Sequence, residues 1–273
     1  MTKEADSWFL NSQARGRVEL KLFCFPYAGG TSAIYKDWSQ GLPASTQVVR
    51  VELPGRGARL RQPPFASMSP LIEVLTEEIL PLLDVPFAFF GHSMGASIAF
   101  ELARRLRRQR EREPQALFVS GCQAPQIPDP FPVIYNLPKE RLIEELRRID
   151  GTPREVLEHE ELMELMMPLL RADFELTQTY QCLPDAPLQC PITAYRGLTD
   201  KVTRDMILPW REQTSSDFTL RMLPGDHFFL RTSQKQLLES LTQELYRIIA
   251  RHGLNDRKHF AADVDAMNRD HSG

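Results

Sequence analysis

The sequence is short of cysteine, of net charge and of long hydrophobic runs, and each shortage excludes a class of protein. Lys and Arg number 33 against 36 for Asp and Glu, a formal net charge of -3, so nothing in the charge indicates a nucleic-acid partner. No run reaches the roughly 18 consecutive apolar residues of a membrane-spanning helix, and the first residues lack the apolar stretch of a signal peptide. We therefore expect a cytoplasmic protein without a membrane span.

Four cysteines occur, widely separated at positions 24, 122, 182 and 190. Without a secretion signal, such scattered residues are expected to be reduced thiols. The motifs C-x-x-C, H-E-x-x-H and G-x-G-x-x-G are missing, so we predict no metal and no nucleotide cofactor. What is present is an ordinary globular composition, 42% hydrophobic and 25% charged, in a chain long enough for a large core.

One stretch organises the rest of the chain, an apolar segment at 86–90 that runs directly into Gly-His-Ser-Met-Gly. Apolar residues at helical spacing follow, which predicts a helix. A strand, a G-x-S-x-G sequence and a helix in this order are the setting of a nucleophile elbow, a tight turn that presents a serine hydroxyl. Gly91 and Gly95 suit that turn because neither carries a Cβ. Ser93 is the candidate nucleophile, and Met94 contributes a backbone N–H at the start of the helix.

Strand and helix patterns alternate along most of the chain. Strand patterns are predicted at 18–25, 47–53, 86–90, 116–120, 191–196 and 218–223, with helical patterns between most of them. This alternation predicts an α/β fold with a mainly parallel sheet flanked by helices. We expect one domain over residues 1–253, loosely held at 1–16, and a disordered polar tail at 254–273.

Between residues 125 and 187, which we call the inserted segment, the strand patterns stop. Prolines open the segment, and helices are predicted at 139–149, 153–157 and 160–180. Two ordinary packing helices would give the same pattern, but a position between two sheet strands favours a lid over the pocket. Its methionines, at 163, 166 and 167, suit an adaptable apolar wall.

A serine hydroxyl needs a base to remove its proton and a third group to orient that base. Of the six histidines, only His227 follows a sheet strand at the edge where Ser93 emerges, so it is the candidate base. Asp200 follows the 191–196 strand by a short loop and is the candidate acid, with Asp129 in reserve. The order Ser93, Asp200, His227 is that of α/β-hydrolases and differs from the order in other serine hydrolases. We therefore predict the α/β-hydrolase fold.

A glycine pair follows the first long strand, in Pro26-Tyr27-Ala28-Gly29-Gly30. A plain Gly-Gly turn would account for this loop on its own. Beside a nucleophile elbow, however, such a loop can supply the second N–H of an oxyanion hole. We assign that role to the Ala28 N–H, together with the N–H of Met94.

Arginines cluster in two places. Arg56 and Arg59 lie in a loop rich in glycine, and we expect them to be solvated. Six more follow near the end of the helix after Ser93, where positive charge complements the helix dipole. We favour that structural role over a docking patch for an acidic partner.

Five segments taken together resemble the type II thioesterases associated with polyketide and non-ribosomal peptide synthases. The match runs from about Leu22 to Leu245, and its segments are Phe25–Gly30, Leu53–Arg56, Gly91–Gly95, Phe100–Ala103 and Gly225–Leu230. Gly-His-Ser-Met-Gly alone is shared by many hydrolases, whereas the five in order are specific. Two positions depart from the family, because Asp226 stands where a second glycine is usual and Gly57 where glutamate is frequent.

The resemblance implies an enzyme that hydrolyses acyl groups from the phosphopantetheine arm of acyl or peptidyl carrier proteins, and so edits misprimed or stalled synthases. The carrier protein would be supplied in trans. Vertebrate medium-chain thioesterases, which release fatty acids, belong to the same broad family, so fatty-acid release stays open. A carboxylester hydrolase or acyltransferase on the same fold stays open as well. The intact Ser, Asp and His set argues against a non-catalytic acyl-binding protein.

Overall fold

The computed structural model describes residues 7–110, 112–149 and 157–251 of the chain. The strands are β1 Phe9–Asn11, β2 Leu20–Phe25, β3 Thr46–Val51, β4 Phe87–His92, β5 Leu117–Ser120, β6 Ile192–Gly197 and β7 Phe218–Leu223. They form one seven-stranded sheet in the order β1-β3-β2-β4-β5-β6-β7. β1 is antiparallel to β3, and every other neighbouring pair is parallel, which confirms the predicted sheet.

The central strands β2, β4 and β5 are buried along their whole length. Because helices cover both faces of a parallel sheet, such strands are apolar almost throughout and do not alternate. β7, at the edge, is half-exposed over most of its length. The site discussed below therefore stands on the most deeply buried part of the sheet.

The helices are α1 Met68–Ile79, α2 Met94–Arg110, α3 Lys139–Ile149, α4 Glu160–Gln178, the short α5 Arg204–Ile207 and α6 Phe229–Thr232, and α7 over 234–251. On one face of the sheet, Leu75 of α1 and Leu102 of α2 belong to the core that contains Phe23 of β2. On the other face, Leu245 of α7 belongs to the core that contains Leu22. Neighbouring residues of β2 thus point to opposite faces, as in any strand.

The prediction of a loosely held N-terminus is wrong for residues 9–11, which form β1. Phe9 pairs with Val51 of β3, and both Trp8 and Phe9 are buried. The Arg59 guanidinium lies 3.8 Å from the centre of the Trp8 ring, where cation and ring attract each other. A three-residue strand has too little periodicity to be predicted from sequence.

In the part of the inserted segment that the structure describes, no strand occurs, as predicted. α3 and α4 pack on each other around a core of their own, which consists of Ile134, Leu142, Leu146, Leu157, Met163 and Leu170. Met166 and Met167 pack against the same cluster. The methionines therefore join α4 to α3. The predicted helix at 153–157, apart from its last residue, and the predicted tail at 254–273 lie outside the described residues.

Arginines of α2 hold the far end of the inserted segment. The buried Arg104 donates to the Leu183 carbonyl, and Arg107 donates to two further carbonyls of the same stretch. Together with Arg108, these side chains surround Asp185 at nitrogen–oxygen distances of 2.8–3.4 Å. The arginine run therefore binds the chain that returns from the inserted segment to the sheet, a role that the helix-dipole argument did not foresee.

The described helices include none that is long and apolar enough to cross a membrane. The four cysteines are unpaired thiols. Burial raises the pKa of Cys122 to about 11 and that of Cys190 to about 12, so neither is activated as a nucleophile.

Candidate active site

Ser93 lies in the turn between β4 and α2 and is half-buried. Its φ angle is 52°, and no other non-glycine residue in the described ranges has a positive φ. A Cβ on Gly91 would overlap the Gly95 carbonyl, and one on Gly95 would overlap the Phe25 carbonyl. The turn therefore requires glycine on both flanks, and its strained apex is that of a nucleophile elbow. α2 begins at Met94, so the N–H groups of its first turn lack partners within the helix.

Asp200 follows β6 and His227 follows β7, and their side chains meet at the carboxyl edge of the sheet. His227 Nδ1 lies 3.1 Å from Oδ2 and 3.2 Å from Oδ1 of Asp200. The Asp200 side chain is fully buried, whereas that of His227 is 22% exposed. A proton on Nδ1 is then donated to the carboxylate, which leaves Nε2 as a hydrogen-bond acceptor.

The loop that carries Asp200 is braced from within. Arg196 donates to the Asp200 carbonyl at 2.9 Å and to the Val202 carbonyl at 2.6 Å. The Val202 N–H in turn donates to Asp200 Oδ1 at 3.0 Å. Asp129, in contrast, is exposed, and its carboxylate accepts a backbone N–H of its own loop. The structure thus brings Asp200, and not Asp129, to His227.

The 26–30 loop follows β2, which is the parallel neighbour of β4, so the loop lies beside the elbow. It turns through Gly29, whose φ is 74°, and closes with a 2.8 Å hydrogen bond from the Gly30 N–H to the Tyr27 carbonyl. Ala28 is half-buried in the middle of this turn. Its N–H and the first turn of α2 therefore lie at the same edge of the sheet.

His92 is fully buried next to His227, with ring centres 5.0 Å apart. Its Nδ1 lies 2.9 Å from the Ser120 hydroxyl oxygen. Burial lowers the pKa of His92 well below its usual range, and the neighbouring His227 lowers it further. His92 is therefore an uncharged side chain that packs beside His227.

The prediction that Arg56 and Arg59 are solvated is wrong, since they are 2% and 6% exposed. Both terminal nitrogens of Arg56 bind the carboxylate of Asp173 on α4, at 2.9 and 2.7 Å. Asp173, which also accepts the Gly29 N–H at 2.7 Å, was missed by sequence reasoning. The one available signal was its place among the apolar residues of a helix face, where an unpaired carboxylate would be costly.

The two departures from the family pattern have local structural explanations. Asp226 accepts the Phe228 N–H at 2.8 Å, a turn that leads into α6. Gly57, with a φ of 50°, leaves room for the carboxylate of the buried Glu52, which accepts the Ser32 hydroxyl at 2.7 Å. Neither change touches the paired carboxylate and imidazole.

A small cavity lies between the start of α2, α4 and the loop after β3. Its lining is mostly apolar and consists of Leu53, Pro54, Phe65, Leu71, Met94 and Leu176, with Arg56 and Asp173 at one side. A larger, polar cavity of about 580 Å³ is lined by Glu113, Cys190 and Arg251 among others. Glu113 and Cys190 precede β5 and β6, so this larger cavity lies at the amino edge of the sheet, away from Ser93.

Residues 20–245 match the Thioesterase domain family. The chain belongs to this family. The gramicidin S biosynthesis protein GrsT of Aneurinibacillus migulanus is 43% identical over 90% of this chain and 97% of its own length. The medium-chain S-acyl fatty acid synthase thioesterase of Rattus norvegicus is 36% identical over 77% of this chain and 81% of its own.

Among solved structures, RedJ, a thioesterase from the prodiginine biosynthetic pathway of Streptomyces coelicolor, superposes with a TM-score of 0.79 at 37% identity. The superposition covers 85% of this chain and 95% of RedJ. The sheet and its flanking helices are thus the α/β-hydrolase fold of the thioesterases, as predicted from the order of the site residues.

Proposed function

We propose that this member of the thioesterase family is a serine hydrolase that removes acyl groups from the phosphopantetheine arm of acyl or peptidyl carrier proteins, and so edits misprimed or stalled synthases. The observation that carries the proposal is the Asp200–His227 hydrogen bond at the edge where the elbow presents Ser93. Family membership gives the reaction class, and this geometry supports Ser93, Asp200 and His227 as the residues that perform it.

In the proposed reaction, His227 Nε2 takes the hydroxyl proton of Ser93 as its oxygen attacks the thioester carbonyl. Asp200 holds the imidazole in the required tautomer and stabilises the imidazolium that forms. The N–H groups of Ala28 and Met94 bind the oxyanion, a contribution of about 3–4 kcal/mol per donor in comparable sites. The imidazolium then protonates the departing thiolate, and a water activated by His227 hydrolyses the acyl-serine to the free acid.

The carrier protein is proposed to reach the site in trans, in the cytoplasm. Similarity to GrsT and RedJ, both named for biosynthetic pathways, supports a carrier that belongs to a synthase. The reaction needs no metal or organic cofactor, because the serine, the imidazole and the backbone donors supply the nucleophile, the base and the charge stabilisation.

The inserted segment is proposed to act as the lid of a single domain that spans residues 1–253. α4 supports this role, because Leu176 lines the cavity beside Met94 and Leu170 approaches the 26–30 loop. A thin flexible arm can pass beneath such a cover, while a bulky protein stays outside it. Contacts to the arm, away from the reacting carbonyl, can then contribute to catalysis as well as affinity.

Release of medium-chain fatty acids is the second candidate. The similarity to the rat medium-chain thioesterase favours it, since that enzyme is 36% identical over most of its length. The two candidates differ in selectivity, because editing predicts weak discrimination among acyl groups and fatty-acid release predicts a preference for long chains.

The decisive experiment compares acetyl, propionyl and dodecanoyl groups, each loaded on a carrier protein and on coenzyme A. Editing predicts kcat/KM values within about tenfold across acyl groups, and at least about tenfold higher values on the carrier than on coenzyme A. Equal efficiency on both thiols would remove the carrier protein from the proposal. A strong preference for dodecanoyl alone would shift the function to fatty-acid release.

A further inference from the structure

The Arg56–Asp173 pair joins the loop after β3 to α4 in the interior of the protein. Both side chains are 2% exposed, and the two hydrogen bonds between them are 2.7 and 2.9 Å long. Buried ion pairs of this kind are often replaceable by apolar residues of similar size without loss of stability. Stability alone is therefore a weak explanation for placing two charges here.

The other hydrogen bonds of the pair go to the backbone of the 26–30 loop. Asp173 Oδ2 accepts the Gly29 N–H at 2.7 Å, and Arg56 Nη1 donates to the Gly30 carbonyl at 3.1 Å. These are the two residues directly after Ala28, the proposed oxyanion donor. The peptide groups on the C-terminal side of Ala28 are thus held by charged side chains from two distant parts of the chain.

α4 also contacts the loop sterically. A Cβ on Gly29 would lie 2.8 Å from Leu170 Cδ2, so the helix packs directly against the loop backbone. Leu169, one residue earlier, would lie 3.3 Å from a Cβ on Gly55 in the loop after β3. The helix therefore rests on both loops through residues within one and a half turns of Asp173.

We propose that Arg56 and Asp173 are positioning residues. They fix the backbone conformation of the 26–30 loop when α4 is packed against the rest of the protein. Separation of α4 from the body would remove both the acceptor of the Gly29 N–H and the carboxylate partner of Arg56. Because Asp173 makes both contacts, the position of the loop and the position of the helix are set together. The inference rests on the proposed function, since it assigns the Ala28 N–H to the oxyanion.

The test separates positioning from packing. In the double variant Arg56→Met/Asp173→Leu, apolar side chains of similar length replace both charges, and we expect a folded protein with a melting temperature near that of the wild type. The Gly29 and Gly30 contacts are lost, so kcat should fall about 10- to 100-fold, while KM for an acyl-pantetheine changes by less than about threefold. A purely structural pair predicts wild-type kcat in this variant, and that result would overturn the proposal.

A second readout isolates the transition state. A trifluoromethyl ketone analogue of the thioester forms a tetrahedral adduct with the serine, and its inhibition constant should rise by the same factor as kcat/KM falls. Affinity for the thiol product, which carries no oxyanion, should stay unchanged. Weakening of both ligands by one factor would instead indicate general damage to the site and would contradict the proposal.

The matched control is Glu101→Leu/Arg104→Met, which removes the buried pair that holds the far end of the inserted segment without touching the 26–30 loop. Its kcat should stay within about twofold of the wild type, and an equal loss in both double variants would overturn the inference. If the first variant does not fold, Arg56→Leu/Asp173→Met, which likewise leaves no unpaired charge, gives the same comparison of kcat with KM, and full kcat in it is the contrary result. Absence of turnover by the wild type would contradict the proposed function itself. The positioning role is judged separately, by the ratio of the variant's kcat to that of the wild type.

Discussion

The carboxyl edge of the sheet and the inserted segment are held in place by different kinds of contact. At the edge, Ser93, Asp200 and His227 sit in short loops whose ends are fixed by ladder hydrogen bonds between parallel strands. The inserted segment has no ladder in its described residues. It is held instead by buried side chains that bond to distant backbone groups: Asp173 of α4 accepts the Gly29 N–H, and Arg104 of α2 donates to the Leu183 carbonyl.

The difference shows which part of the protein tolerates change. A loop between ladder strands keeps its position when one side chain is replaced, because the backbone bonds remain. A helix held by buried charges loses its support when one charge is removed, because the other is left unpaired. Replacement of a catalytic side chain at the edge should therefore lower activity and leave the fold intact, whereas removal of Asp173 alone should alter the geometry of the 26–30 loop.

The largest effect is expected at the nucleophile. Ser93→Ala removes the attacking oxygen and should lower thioester hydrolysis at least about 10⁴-fold, with the melting temperature unchanged. The measurement is single-turnover release of a radiolabelled acyl group, which detects slow residual reaction. Ser97→Ala, one turn along α2, is the matched control and should stay within about twofold. Substantial turnover by folded Ser93→Ala would show that the elbow does not supply the nucleophile.

The next effect concerns the acid. Asp200→Asn keeps the shape of the side chain but favours the wrong tautomer of His227, so kcat should fall about 10³- to 10⁴-fold. Asp129→Asn is the matched comparison, because this exposed residue accepts a hydrogen bond within its own loop, and it should keep near-full activity. A larger loss in Asp129→Asn than in Asp200→Asn would move the acid to the loop after β5.

The same contrast explains what the sequence could predict. Local patterns in the sequence predict three features, because each pattern involves residues that are close along the chain. These features are the elbow, the alternation of strands and helices, and the strand ends that carry Ser93, Asp200 and His227. β7 and α3 even occupy the predicted residues, 218–223 and 139–149.

The errors arose where contacts come from far away in sequence. Arg56 was expected in solvent because its loop is rich in glycine, yet it lies buried against Asp173, a residue 117 positions later. Local composition carries no information about such a partner. Likewise, the strand at Phe9 exists only because β3 offers it an edge, and three residues leave no period to detect.

A smaller effect is expected where the two regions touch. Gly29→Ala places a Cβ against Leu170 and forces alanine to a φ of 74°, which costs about 1–2 kcal/mol in backbone energy alone. The loop should shift, so we expect kcat to fall about tenfold with little change in melting temperature. Gly41→Ala, at another glycine whose Cβ would meet a flexible leucine side chain, is the control. Unchanged kcat in Gly29→Ala would show that the loop tolerates displacement and would weaken its role at the oxyanion.

The smallest effect concerns the buried His92 beneath the edge. Because its pKa is lowered by burial, the folded state binds fewer protons than the unfolded state once the pH falls below about 6.5, the ordinary pKa of histidine. Stability from this residue is therefore present above that pH and lost as the pH falls. Between pH 6.5 and pH 5 the loss amounts to at most about 2 kcal/mol of unfolding free energy.

The measurement is urea unfolding at pH 7, 6 and 5 for the protein with His92 and for His92→Phe, which has no ring nitrogen to titrate. Both carry His227→Gln, so the neighbouring imidazole does not contribute to the difference. Phe leaves the Ser120 hydroxyl without its ring partner and should lower the unfolding free energy at every pH. The curve of unfolding free energy against pH should nevertheless be flatter for His92→Phe than for the protein that keeps His92. Parallel curves of unfolding free energy against pH would show that His92 binds its proton equally well in the folded and unfolded states. The fold would then not keep His92 uncharged.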